Sequence, residues 1–401
     1  MIRHVLVFLA VTNFYVYWKL RSGFGGGWWG IAYLSWVLAL AVLPFAARMG
    51  VFGAGRGAEV LFALSFIWVA AVGMACVGFF FMDVLWLAAY LADGLLKLVF
   101  GTGPNLRLAP RRCVPVTLCL ITAAVLYSFY EAWNVRRVNL TLETAKLPAG
   151  VERLRLVHLT DVHIGGLYTP ERLARVMDIV RAAEPDLLLV TGDLADGNMS
   201  FRGQEAEMLA AHGAKYGAFA VTGNHESYVG FEQAMEFIKR AGLTLIRNDA
   251  VSVAGITLIG LDDPTFSGSR GFFEAERLPE GLTFPSGRFV VLLKHRPRVI
   301  EGTEGLFDLQ LSGHTHGGQI WPFSYVVQWV HQHTQHLSRK GSSAVYISNG
   351  AGFWGPPMRF LAPPEVTVID LVREGSGLKE ALINGVLRGL RPLVGLCPTR
   401  G

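Results

Sequence analysis

The chain has 401 residues, of which 52% are hydrophobic and only 17% charged, with a formal net charge of +5. That balance is too apolar for an ordinary soluble enzyme of this length, and the four cysteines imply neither a disulfide framework nor a thiolate metal site. No helix-turn-helix, zinc-finger or RNA-binding signature accompanies the positive charge, so no nucleic-acid partner is expected.

The apolar excess lies almost wholly before residue 134 and predicts a helical membrane anchor over 1–134, with about four spans at 3–20, 27–48, 59–99 and 113–133. The first stretch lacks a convincing small-residue cleavage site and three more follow, which favours a multi-pass anchor over a signal peptide. Trp28, Trp29 and Trp36 suit an interfacial belt. The 59–99 stretch is far longer than the roughly 20 residues that cross a bilayer. It reads as one long helix emerging into the interface, the alternative being two spans joined by a tight turn. Asp83 and Asp93 favour emergence, because charge is costly in hydrocarbon, and Lys97 stands four residues from Asp93. Basic residues such as Arg48, Arg56, Arg107, Arg111, Arg112, Arg136 and Arg137 flank apolar segments, where they meet lipid headgroups or fix topology. They divide almost evenly between the two sides, with a lean toward a catalytic domain outside the cytoplasm.

A second domain is expected over 135–372. Short apolar runs at Leu154–Leu159, Leu187–Val190, Ala218–Val221, Val251–Leu261, Phe289–Leu293, Leu309–Leu311, Val345–Ile347 and Val366–Leu371 read as strands, and helical patterns lie between them. Thr169-Pro170-Glu171 supplies an N-cap, a proline at the first helical position and an acidic first turn. The mixture predicts an α/β (α+β-type) two-sheet sandwich flanked by helices. The remaining 373–401 form a short tail, with Leu378–Leu390 read as an amphipathic helix on the membrane surface or packed on the domain.

Five motifs each follow one of these strands: Asp161-Val162-His163, Gly192-Asp193-Leu194-Ala195-Asp196, Gly223-Asn224-His225-Glu226, His295, and Gly313-His314-Thr315-His316. Carboxyl ends of strands in open α/β sheets are where ligands gather. Imidazole, carboxylate and amide oxygen suit manganese, zinc, iron or magnesium. Seven nitrogen and oxygen donors are too many for one tetrahedral site, and they fit two divalent metal ions sharing a bridging carboxylate, about 3.5–4 Å apart.

The ordered set resembles the calcineurin-like metallophosphoesterase superfamily over about 155–371. Gly313-His-Thr-His-Gly-Gly-Gln-Ile320 and Gly350-Ala-Gly-Phe-Trp-Gly-Pro-Pro-Met-Arg359 resemble its membrane-associated branch, which includes transmembrane proteins with a metallophosphoesterase domain. The resemblance implies that Asp161, His163 and His316 hold a first metal. It implies likewise that Asp193 bridges, that Asn224, His295 and His314 hold a second, and that His225 is a non-ligand proton donor near the leaving oxygen. Asp196 completes the GDxxD motif with a ligand-orienting role. The implied chemistry is in-line attack on phosphorus by a metal-bridging hydroxide.

Arg359 is a candidate phosphate contact, weighed against a structural arginine beside Pro356 and Pro357. Glu226 reads as a structural partner in its turn, and His158 as core. His331, His333 and His336 lack a suitably spaced carboxylate and read as a solvated loop rather than a third metal site. Trp321, Phe323, Tyr325, Val326, Val327 and Trp329 read either as a core segment or as a rim meeting lipid or an acyl chain. The expected function is a multi-pass membrane-anchored hydrolase of a phosphodiester, pyrophosphate or phosphomonoester, with lipid-linked substrates favoured by the anchor and membrane lipids as neighbours. The alternatives are hydrolysis of a soluble nucleotide or phosphomonoester, and a non-catalytic metal-binding membrane scaffold.

Overall fold

A computed structural model of the chain describes residues 2–28, 30–37, 40, 56–103, 106, 109–267, 277–331 and 336–378. The described chain divides into two compact units, Met1–Ala132 together with Trp354–Phe360, and Trp133–Phe353 together with Leu361–Gly401. The short 354–360 segment thus belongs with the helices, where sequence texture had suggested an uninterrupted second domain from 135 to 372.

The first unit is built on helices α1 (Ile2–Phe24), α2 (Arg56–Phe100) and α3 (Pro110–Trp133). Across the 59–99 stretch α2 is a single continuous helix of 45 residues. Val16 of α1, Val72, Ala75 and Phe79 of α2, and Val114 and Ile121 of α3 form its small core. Asp83 is ion-paired with Lys19 of α1, and Asp93 with Lys97 one turn on, so both carboxylates are neutralised within the helices. Among the described residues two helices, Ala63–Phe100 and Pro110–Trp133, are long and apolar enough to cross a membrane. Half of the 27–48 span lies outside the described residues, with 30–37 helical, and all but Leu378 of the tail helix predicted at Leu378–Leu390 lies outside them too.

The second unit holds two six-stranded mixed sheets. One has the order β1 (Arg136–Thr144), β12 (Glu365–Arg373), β2 (Arg153–Leu159), β3 (Leu187–Thr191), β4 (Ala218–Val221), β5 (Thr244–Leu245). The other has the order β10 (His336–Lys340), β11 (Ser343–Ile347), β9 (Leu309–Ser312), β8 (Val290–Leu293), β7 (Ile256–Gly260), β6 (Asp249–Val253). Strand residues sort by the two-residue alternation of a pleated sheet. Leu154, Leu156, Leu187, Leu189, Val291, Leu293, Leu309 and Leu311 face a shared core between the sheets. Their neighbours Val157, Leu159, Leu188 and Val190 face the opposite way, onto Leu173, Val176, Met177 and Val180 of α4 (Pro170–Ala182), Leu209 of α5 (Gly203–Ala210) and Phe237 of α7 (Phe231–Arg240). On the second sheet Val290, Leu292, Val345 and Ile347 pack against Ile300 and Phe307. Burial on both faces explains why these strands read as unbroken apolar runs.

Three local expectations are corrected. The run 251–261 is a hairpin, β6–β7, turning through Ala254 and Gly255 at φ 48° and 79°. Helix α4 begins at Pro170 as expected, but the Thr169 hydroxyl makes no capping bond. Trp321–Trp329 is not a core segment, because the helix α8 (Phe323–His331) has no buried residue.

Candidate metal centre

Strands β2, β3 and β4 are mutually parallel, as are β7, β8 and β9, so each set delivers its carboxyl ends to one edge of its sheet. The five motifs occupy those ends, and the two sheets bring them together. Asp161, His163, Asp193, Asn224, His225, His295 and His316 are buried, and His314 is partly so.

Nitrogen and oxygen atoms of these side chains converge at short range. The Nε2 atoms of His163 and His316 are 3.0 Å apart. His314 Nδ1 stands 3.1 Å from His295 Nε2, which is itself 3.1 Å from Asp193 Oδ2. His163 Nε2 approaches the same Asp193 oxygen at 3.8 Å, and His316 Nε2 approaches Asp161 Oδ1 at 3.5 Å. Three groups can each close on one ion: Asp161, His163 and His316; His163, Asp193 and His225; and Asp193, His295 and His314. Asp193 therefore stands between an Asp161 cluster and a His314 cluster. Asn224 Oδ1 is buried with no hydrogen-bond partner, an orphaned acceptor of the kind a cation satisfies. The donor set is nitrogen and oxygen throughout, which suits manganese, zinc, iron or magnesium.

The backbone is bent to achieve this. Asp161, His163, Asp193, His314 and His316 have φ of 52°, 52°, 51°, 70° and 51°, in the left-handed region that side chains with a Cβ avoid. Each such residue costs on the order of 1–3 kcal/mol and persists only where surroundings over-determine it. In the paired motifs, both members of Asp161/His163 and of His314/His316 adopt this conformation just past the strand ends.

Hydrogen bonds supply the constraint. Glu226, fully buried, accepts N–H bonds from Asp193 (2.9 Å), Leu194 (2.7 Å), Ala195 (3.0 Å) and Gly223 (2.7 Å). It ties the GDxxD loop to the first turn of α6 (Asn224–Val229). The His225 N–H donates to Asp193 Oδ1 at 2.8 Å, and the His314 N–H donates to the Asp161 carboxylate at 3.0 Å, joining the sheets. A Cβ on Gly223 would lie 2.2 Å from Asp193 Oδ1, and one on Gly313 2.0 Å from Asp161 Oδ2. Glycine is required at both positions by close approach.

The charges are strongly coupled. Burial works to raise the Asp193 carboxyl, but the His295 and His225 rings overcome it and hold the group well below its usual range. Burial pushes the Asp161 carboxyl up. Burial disfavours a charged His295, yet the adjoining Asp193 carboxylate drives it up to about 10. His225 is likewise raised to about 9 against its burial, by Asp193 and by the Asp196 carboxylate 3.2 Å from its Nδ1. His314 is pushed well down by burial and by His295.

A family model described as calcineurin-like phosphoesterase matches residues 154–318, the segment carrying the five strand-end motifs. An uncharacterized metallophosphoesterase of Aquifex aeolicus is 35% identical over 255 residues, 62% of this chain and 97% of that protein. This chain belongs to the calcineurin-like phosphoesterase family. An uncharacterized metallophosphoesterase of Helicobacter pylori is 34% identical over 55% of this chain and 60% of its own length. The zebrafish transmembrane protein with metallophosphoesterase domain is 30% identical over 63% of this chain and 62% of its own length. Membership makes the chain a metal-dependent phosphoester hydrolase, with clustered histidine and aspartate groups able to bind metal ions.

Arg359 lies in the helical unit with a fully buried side chain, its backbone N–H donating to the Ser128 carbonyl at 2.8 Å. His331 is no solvated loop residue: it ends α8 with its ring edge-on to His314 at 5.6 Å. Burial and the cations Arg296 and Arg298 lower it to about 4. Its spacing from the GHTH motif carries no recognisable signal, which is why the sequence did not reveal it. His333 lies outside the described residues, and His336 begins the strand β10.

Proposed function

We propose that the chain is a membrane-anchored phosphoesterase working with two divalent cations. Asp161, His163 and His316 would hold one, Asn224, His295 and His314 the other, and Asp193 would bridge them. The observation that carries this reading is the position of Asp193, whose Oδ2 lies between the imidazoles of His295 and His163. Bound there, the cations would supply an activated water and neutralise the phosphate's non-bridging oxygens.

The chain's own groups do the rest. His225 keeps a proton at neutral pH because two carboxylates face it, and Asp196 engages its Nδ1. A proton kept on this ring is placed to serve the departing oxygen, help worth typically about 10²–10⁴-fold. Glu226 holds the Asp193 loop in its strained conformation while that happens.

The anchor reading rests on α2 and α3, whose large apolar side chains are left outward: Phe80, Leu85, Leu91, Leu95 and Leu98 on the one, Val116, Leu120 and Leu126 on the other. A multi-pass anchor favours phosphoesters met at a lipid surface over freely diffusing nucleotides, with a phosphodiester or pyrophosphate of a lipid-linked molecule as the leading class. Purified full-length protein with manganese is expected to hydrolyse an aryl phosphodiester, and Asp193→Asn and His314→Ala to abolish this. Metal binding without hydrolysis of any phosphoester would sink the enzymatic reading and leave a metal-binding membrane scaffold.

A further inference from the structure

Helix α8 is amphipathic in the wrong sense for a soluble surface. At 100° per residue, Phe323, Tyr325, Val326 and Trp329 share one side, and Ser324, Gln328 and His331 the other. The apolar side is the outer one: Phe323 is 46% exposed, Tyr325 64%, Val326 53% and Trp329 79%. The polar side carries His331, whose ring meets His314 of the metal centre. A helix on an aqueous surface turns these sides the other way round. Contiguous exposed aromatics on one helix mark a contact surface.

Composition says what covers it. Tyr and Trp with an apolar body and a polar tip are the residues of a membrane interface. From Gly313 to Lys340 there is no aspartate or glutamate, and Arg339 and Lys340 close the stretch, both exposed. Arg298, also exposed, adds its charge beside His331. An apolar face on an acid-free stretch of chain with cations beside it complements the boundary between acyl chains and anionic headgroups.

We infer that α8 is an interfacial helix that seats its Phe323–Tyr325–Val326–Trp329 face in the headgroup region of an anionic bilayer, beside the metal centre. This rests on the membrane-anchored reading and deepens it: substrates would reach His314 and His331 from the lipid side of the domain.

The test uses full-length chain with its four cysteines replaced by serine, reconstituted in vesicles of phosphatidylcholine with about one-third phosphatidylglycerol. An environment-sensitive fluorophore is placed in turn on Tyr325→Cys, Val326→Cys and, as the inner-face control, Gln328→Cys. Labels at 325 and 326 are expected to shift to the blue and to be quenched about twofold or more by shallow spin-labelled lipid relative to 328, with weaker quenching in pure phosphatidylcholine. Labels quenched by iodide and not by spin-labelled lipid overturn the inference. So does shielding from both quenchers, which would mean a protein partner or a second copy of the chain. Resistance to alkaline carbonate extraction is read separately: a chain that washes off refutes the anchor, whereas a retained chain with water-exposed labels refutes α8 alone.

Discussion

The two halves of the metal centre are built differently. The β2–β4 half is locked: the fully buried Glu226 satisfies four backbone donors, and Asp193 accepts from His225. The β8–β9 half is tied across by the His314 N–H on Asp161 and by His295 Nδ1 at 2.8 Å from the Thr191 carbonyl, and then runs out into α8, which has no buried residue. A phosphoryl site needs its charged groups fixed before substrate arrives, and the first half meets that need. The second half supplies the partly exposed His314 and leads directly into an exposed helix, so the first sheet contributes most of the holding and the second an exposed flank.

Substitutions separate these roles. After the loss expected for Asp193→Asn, the next largest effect belongs to His225→Gln: about 10²–10⁴-fold in kcat if it donates the proton, with metal content unchanged by elemental analysis. Loss of metal together with activity would instead make His225 a ligand, as its grouping with His163 and Asp193 permits. Asp196→Asn, which leaves the ring in place but weakens its orientation, is expected to cost less, about 10-fold.

Glu226→Ala reads the locked half directly. It strands four buried N–H groups, each costing about 1–3 kcal/mol when unsatisfied, so unfolding in detergent should move to markedly lower denaturant. Glu226→Gln keeps one accepting oxygen and should recover part of that loss. Equal midpoints for Glu226→Ala and the parent would show that the loop is held by other contacts.

Much of this was readable beforehand because the chemistry dictates residue types. Donors for hard cations must be Asp, Asn or His, and strands buried on both faces must be apolar, so Leu187–Val190 followed by Gly192-Asp193 announces both at once. What escaped obeys no local rule. Strand β1 pairs with β12 across more than 200 residues, and its outward Arg137, Asn139 and Glu143 resemble a linker. The β6–β7 turn uses Ala-Gly where Asn-Gly would have signalled a hairpin. The four bonds to Glu226 depend on loops from two strands meeting, as does the approach of His331 to His314. The inverted face of α8 has the periodicity of a core helix, and only its exposure tells the two apart.

The smallest effect tests the seam between the halves. His158 of β2 is fully buried, with Nε2 2.7 Å from the Thr191 hydroxyl, Nδ1 unpartnered and its ring edge-on to Tyr346 of β11 at 6.3 Å. Burial pushes the imidazole down to about 3. Unfolded, it titrates near 6.5, so between these values the unfolded chain binds a proton that the folded chain refuses. Stability is complete above about pH 6.5 and falls as pH drops toward 3, by about 2 kcal/mol at pH 5. His158→Gln retains a partner for Thr191 but cannot titrate, so its stability relative to the parent should improve by about that amount between pH 7.5 and pH 5. An identical pH slope in denaturant unfolding of both proteins would mean that water or a proton reaches the seam, and that the two sheets are not sealed at His158.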